Sequence, residues 1–491
     1  MPPGLSAPTR HAAPRVTTRS GIGHAHLVGI GGAGMQALAT VLSEAGWRIS
    51  GSDIAATVPA RLGWKTHSGH AIEHLLPPPD IVVHSPAIAR DNLELAVARR
   101  LGIPVVSYPQ AVGHLMNDRT GIAVAGTHGK STTVAMTASI LLAAGLDPTV
   151  IAGADLRCGR PLNRHGKGPW MVVEACEYRS SFLHLRPRIA AILGIEPDHF
   201  DYFTSTADLE HAFGRFAALV PRDGVLIGRD ECPATRRATA SGTAGVETMG
   251  VSNDAHWRAR SIADDRGRYH FELLKGGRSR GKIRLQIAGR HNVLNALAAA
   301  ALAHHAGAAW CDIREGLAGF QGLRRRLETL GVAGGLTIID DYAHHPTEIA
   351  AALKTVRELH PGQKIYCVFE PHQASRTKSL LDELASSLHN ADTLVVAEIF
   401  RAREPDWQPG EITAADLAAR ARHLGSHVAP IHDQNDIEDW LVDSWRQGSL
   451  DSGDVLVTLG AGHIGRLANG VYDRIRKSAA AERAAGSAHV V

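Results

Sequence analysis

The feature that most constrains this chain is a repeated unit: a short apolar run, a glycine-rich turn, then a helical stretch. Apolar runs at 26–30, 48–51, 81–84 and 105–108 alternate with helix-like segments such as 35–45 and 92–100. A second set lies at 121–125, 171–175 and 189–195, and a third at 337–340, 365–369, 393–398 and 455–459. Alternation of this kind predicts βαβ units around a parallel sheet. A chain of 491 residues is too long for one hydrophobic core and suggests roughly three domains of about 150 residues. The expected class is therefore α/β, with three doubly wound or related domains. Polar, arginine-bearing stretches at 114–120 and 322–328 are the natural boundaries, giving blocks 21–118, 119–322 and 323–477. Residues 1–20 and 478–491 read as loose termini.

Composition excludes several classes. Hydrophobic residues at 44% and charged residues at 21% rule out wholesale disorder. A net charge of +3 without clustered basic runs argues against a nucleic-acid partner. The longest apolar stretch, 293–303, is broken by Asn295 and falls short of the about 20 residues a membrane span needs. Residues 1–20 lack the apolar centre of a secretory signal. Five scattered cysteines with no C-x-x-C spacing fit reduced thiols in a cytoplasm rather than a zinc site or disulfide frame.

Two glycine clusters carry the chemistry. The first, 29–34 (GIGGAG), follows a predicted strand and opens a helix, so its amides can approach a diphosphate at the helix's positive end. Asp53, at the end of the next strand, is placed to hold a ribose hydroxyl. Alone, this pattern fits an NAD-dependent dehydrogenase or a tight turn without ligand. The second cluster, 125–133 (AGTHGKSTT), is a phosphate loop in its strand–loop–helix setting. Its amides face phosphate oxygens, Lys130 supplies a charge for the β/γ-phosphates, and Ser131 or Thr132 a hydroxyl for Mg²⁺. Only Thr127 and His128 separate its glycines, fewer than in the usual P-loop. Two phosphate cradles in one chain suit an enzyme that binds a nucleotide-linked substrate and also consumes ATP.

Two apolar strands end in acids, at Glu174 and in 195–201 (IEPDHFD). Open α/β sheets gather ligands at the carboxyl ends of their strands. Glu174 suits Mg²⁺ as a hard oxygen ligand, while His199 would imply a second site that tolerates Mn²⁺.

The chain resembles the Mur ligases over about residues 21–475. The resemblance rests on 26–35 (HLVGIGGAGM), Gly51-Ser52-Asp53, 126–133 (GTHGKSTT), 174–185 (EACEYRSSFLHL) and 195–202 (IEPDHFDY). It continues through 289–297 (GRHNVLNAL), 320–326 (FQGLRRR), 340–348 (DDYAHHPTE), 369–377 (FEPHQASRT) and 459–465 (LGAGHIG). It implies a Rossmann-like UDP-binding domain, a central P-loop ATPase domain and a C-terminal Rossmann-like domain that meets the amino acid. The nearest branch joins L-alanine to UDP-N-acetylmuramate in peptidoglycan synthesis, with ATP, two Mg²⁺ ions and an acyl phosphate intermediate. A monomer or weak homodimer in the cytoplasm, without nucleic acid or membrane, is the expected state.

Residue roles follow from the same resemblance. Gly31, Gly32, Ala33 and Gly34 would cradle the UDP diphosphate, with Asp53 and Ser85 near the uridine. Gly126, Thr127, His128, Gly129 and Lys130 would hold the triphosphate; Ser131 or Thr132 with Glu174 would hold one metal ion and His199 the second. His291, Asn292 and Asn295 would meet adenine, and Arg326 and Asp341 would close on ATP from the domain junction. Tyr342, His344, His345, His372 and Arg376 would face the muramate carboxylate and the incoming alanine. The sequence departs from the family pattern at Cys176, Gly194, Pro197, Arg324 and Gln373. The rivals are a ligase of the same family that recycles a tripeptide, a dehydrogenase, and a nucleotide sensor that has lost its chemistry.

Overall fold

The structure, a computed structural model, describes residues 16, 23–54, 63–402, 404, 407–430 and 434–488. Three sheets organise it. The first has five parallel strands in the order Lys65–Ser68, Arg48–Asp53, His24–Val28, Ile81–His84 and Val105–Ser107. Strand His24–Val28 is buried throughout, as a central parallel strand covered on both faces must be. Tyr108, expected in the last strand, instead opens the helix Tyr108–Asn117, because Pro109 suits the first helical turn. That helix also occupies most of the stretch 114–120 expected as a boundary.

The central sheet has nine strands. Thr120–Ala125 lies between Trp170–Glu174 and Pro187–Ile192, both parallel to it. Trp257–Asp265 still pairs parallel with Gly245–Gly250, and the sheet then turns antiparallel through Arg268–Lys275 and Arg278–Ala288. This extension was not among the predicted strands. Its signal is alternation rather than a continuous apolar run: Tyr269, Phe271 and Leu273 are buried and their neighbours mostly face water.

The third sheet orders Glu328–Ala333, Leu336–Asp341, Val455–Leu459, Ile365–Phe369 and Thr393–Val396, with only the first pair antiparallel. Residues 478–488, expected as part of a loose terminus, continue the helix Ile464–Ala488. The expectation for 1–20 falls outside the described residues except at Val16. Among the described residues, no helix is long and apolar enough to cross a membrane.

Candidate active site

The loop after Thr120–Ala125 turns on two left-handed glycines, Gly126 (φ 135°) and Gly129 (φ 81°). A Cβ on Gly129 would stand 2.4 Å from Oδ1 of Asn295, so no other residue fits without displacing that amide. Gly129 is the N-cap of the helix Lys130–Ala143, whose first amides have no partner within the helix. Lys130 Nζ donates to the carbonyls of Gly126 (2.5 Å) and Thr127 (3.2 Å) and to the carboxylate of Glu177 (3.0 Å). Burial works against its charge, yet Glu177 outweighs burial and holds the ammonium above the ordinary lysine value.

Glu174 ends the strand Trp170–Glu174, and its Oε1 accepts the Gly153 amide at 3.0 Å. His199 has a left-handed backbone (φ 56°), with Nε2 3.5 Å from Glu177. Its Nδ1 is buried and has no hydrogen-bond partner. Carboxylate oxygens, helix-head hydroxyls and an orphaned imidazole nitrogen fit a hard divalent cation with Mn²⁺ tolerance. The tightest histidine–acid group among the described residues is a different one: His128, Glu196 and His345, with ligand-type atoms within 4.8 Å of one another.

His128 lies between two carboxylates, 3.0 Å from Glu348 through Nδ1 and 3.3 Å from Glu196 through Nε2. Burial opposes its charge, but the two acids prevail and push its pKa up to about 9. The phosphate loop is thereby tied to Glu348, on the C-terminal helix Pro346–Leu359. A cavity of about 540 Å³ opens here, lined by His128, Thr132, His291, Asn292, Asn295 and Arg326, among others. Asn295 donates to Asn292 Oδ1 at 2.9 Å, and burial lowers the His291 pKa to about 4, leaving that ring neutral.

The three consecutive arginines separate clearly. Arg324 is exposed; Arg325 bonds Asp340 and the carbonyls of Gly460 and Gly462. Arg326 lines the cavity, stacks on Tyr342 at 5.1 Å and lies 3.9 Å from Glu348. Asp341, also at the wall, accepts the amides of Leu327 (2.6 Å) and Ala343 (2.7 Å), while burial raises its pKa to about 6.

The C-terminal histidines and arginine converge on the same junction. Burial lowers the His344 pKa to about 4; its ring is 5.4 Å from that of His372. His345 Nε2 meets the carbonyl of Pro197 at 3.2 Å. Arg376 is only 2% exposed, and its guanidinium is already engaged. It donates to Asp198 Oδ1 at 2.6 and 2.9 Å and approaches His372 Nδ1 at 2.7 Å. The fork expected to be open for alanine's carboxylate thus ties the central and C-terminal domains together in this state.

At the other end, Gly32 caps the helix Ala33–Glu44, and the Gly31 amide donates to Asp53 Oδ2 at 2.8 Å. Asp53 therefore braces the glycine turn. Ser85 accepts the Ala87 amide at 3.2 Å, and Arg179 of the central domain reaches the neighbouring carbonyl of Pro86 at 3.0 Å.

From the sequence, Glu177 has only a share of the local charge beside Cys176, and Glu196, Asp198 and Glu348 have no role, although each lies inside a quoted motif. A usable signal existed: each stands within a few residues of a predicted site residue, in a segment that must bury its charge among cations.

Comparisons with known proteins give the family to which the chain belongs. Family models described as "Mur ligase family, catalytic domain", "Mur ligase middle domain" and "Mur ligase, glutamate ligase domain" match residues 24–120, 124–303 and 325–462. A UDP-N-acetylmuramate–L-alanine ligase of Clostridium novyi is 38% identical over 448 residues, covering 90% of this chain and 95% of that protein. One from Caldanaerobacter subterraneus is 37% identical over 445 residues, covering 89% and 95%. The crystal structure of a UDP-N-acetylmuramate–alanine ligase from Thermotoga maritima superposes with a TM-score of 0.77 at 26% identity, covering 93% of this chain and 100% of that one. A murein peptide ligase from Psychrobacter arcticus, with a TM-score of 0.70 at 24% identity over 92% and 99% of the two chains, shares the fold. With three successive domain models matched and relatives aligned over nearly their full length, this chain belongs to the Mur ligase family.

Proposed function

We propose that the chain joins L-alanine to the carboxylate of UDP-N-acetylmuramate, consuming ATP through an acyl phosphate, as a cytoplasmic step in cell-wall peptidoglycan synthesis. The observation that carries this reading is the near full-length similarity to L-alanine ligases. The working units would be the blocks 21–118, 119–322 and 323–477. In the first, residues 31–34, with Asp53 and Ser85, take the UDP end. In the cavity of about 540 Å³, Asn292 and Asn295 meet the base and the phosphate loop takes the triphosphate.

A carboxylate approaching a triphosphate meets strong repulsion, which Lys130 and Arg326 offset from two sides of the cavity. Mg²⁺, held by Ser131 or Thr132, Glu174 and His199, would supply further charge neutralisation. Lys130 must shift from Glu177 toward the phosphates as the nucleotide enters. Arg376 orients alanine's carboxylate once the junction rearranges, and His344, held neutral by burial, adds no positive charge to repel the incoming ammonium group. The closed junction excludes water that would hydrolyse the acyl phosphate.

Phosphate release with UDP-N-acetylmuramate, ATP and a panel of acceptors tests the reading. Alanine should give the highest kcat/KM, above glycine and a muropeptide-type tripeptide. A preference for the tripeptide would transfer the chain to the recycling branch. Arg376→Ala should raise the alanine requirement about tenfold to a hundredfold, the cost of one charged hydrogen-bond partner.

A further inference from the structure

Adjoining the nucleotide cavity, and sharing Arg157, Arg266, Arg268 and Gln286 with its wall, lies a second one of about 620 Å³. Four guanidinium groups line it, from Arg157, Arg266, Arg268 and Arg284, against one acid, Asp265. They converge from separate parts of the central domain. Arg157 lies in the loop after Thr149–Ile151, Arg266 on a left-handed turn (φ 50°), Arg268 at the start of its strand and Arg284 on Arg278–Ala288.

Their counter-charges are few. Arg284 pairs with Asp265 at 2.7 Å. Arg268 donates to the carbonyl of Gln286 at 3.0 Å, and no ion pair to Arg266 or Arg268 occurs among the described residues. Arg157 donates only to carbonyls, those of Arg326 (3.0 Å) and Leu327 (2.9 Å), and its Nε is buried without a partner. Burial depresses the Arg157 pKa although Glu328 and Asp341 act against the shift, and Arg268 adds a smaller push in the same direction as burial. Four cations around a hollow whose lining holds a single acid form a site suited to an anion.

The same loop supports the link between domains. The Arg157 amide donates to Gly322 (3.0 Å), Asp155 accepts the Arg324 amide (2.9 Å), and Leu156 bridges Leu323 in antiparallel fashion. The linker ahead of the third sheet therefore rests on the residue that also faces the basic cavity.

We propose that this arginine-lined cavity binds the phosphate groups of a small soluble polyanion, at a subsite that adjoins the nucleotide cavity but contains no residue of the phosphate loop, and that its occupancy steadies the linker at 322–328. Guanidinium forks match phosphate oxygens in pairs, and several such forks call for a ligand carrying more than one charge. The volume exceeds that of a single phosphate, and the exposed Arg266, Arg268 and Arg284 leave the entrance open to solvent.

The inference leans on the nucleotide reading only in treating the phosphate loop as a different site, and the test keeps the two apart. The full-length protein is first saturated with a non-hydrolysable ATP analogue and Mg²⁺, then titrated calorimetrically with inorganic pyrophosphate. One further equivalent should bind. Arg284→Ser should weaken it about tenfold, and Arg266→Ser with Arg284→Ser further still, whereas Arg284→Ser leaves the analogue's own affinity unchanged. Both side chains are solvent-facing, so the fold survives their loss. Absence of a second equivalent, or equal binding by the variants, overturns the site. Failure of the analogue to bind counts against the nucleotide reading instead; the arginine variants then decide the pyrophosphate site in its absence. Hydrogen exchange at 322–328 should slow on adding pyrophosphate, and an unchanged rate overturns the link to the linker.

Discussion

At the residue scale, Lys130 shows how one side chain can carry both stability and chemistry. Its ammonium is the partner of Glu177, a carboxylate 1% exposed, and it is also the charge the β/γ-phosphates would need. Lys130→Ala should therefore cut kcat by about 10²–10³. It should also destabilise the fold by about 3 kcal/mol, because the carboxylate stays buried with only the His199 ring left beside it. Adding Glu177→Gln removes that charge, so urea unfolding should recover most of the loss while phosphate release stays low. Recovery of turnover in the double variant would make the lysine's role structural. Lys130 was legible from the spacing of Gly126, Gly129 and Ser131. Glu177, 47 residues further on, was not, because nothing local pairs it with the lysine.

At the scale of elements, the helix carrying the phosphate loop is positioned by a close crossing. A Cβ on Gly316 of Trp310–Gly319 would come 2.4 Å from Cα of Ile140 in Lys130–Ala143, and Ser139 Oγ donates to the Gly316 carbonyl at 2.8 Å. Backbone cannot yield as a side chain can. Gly316→Ala should cost about 1–3 kcal/mol as the helices separate, read as a lower urea midpoint. A change below about 0.5 kcal/mol would mean that the crossing relaxes freely. The parallel strands were legible as apolar runs because both their faces are covered. The antiparallel extension through Arg278–Ala288 was missed because its alternating pattern has no such run.

For the whole molecule, the decisive region is the junction where the phosphate loop meets the C-terminal domain. The His128 pKa is about 9, above its ordinary 6.5, so its ion pairs contribute fully below about pH 6.5 and fade as pH rises through about 9. Glu196, held near about 2 chiefly by its hydrogen bond with His128, contributes fully above its ordinary 4.5 and is lost as pH falls through about 2. The stability deficit of His128→Asn should therefore be largest between about pH 4.5 and 6.5 and shrink toward pH 9, as measured by urea unfolding across pH. A deficit independent of pH would show that the imidazole acts by packing alone.

The sequence by itself determined the three-block α/β organisation and the two glycine turns. Periodicity, glycine placement and the residue after a strand are local properties, and local physics selects them wherever the rest of the chain lies. Tertiary structure alone decided which charges meet. It chose Arg326 over its two neighbours for the cavity and tied Arg376 to Asp198, 178 residues away in sequence. It also set His128 between Glu196 and Glu348, and turned four scattered arginines toward one hollow. Such pairings depend on how separately folded sheets dock, and an ion pair between distant segments leaves no periodic or spacing signal in either segment.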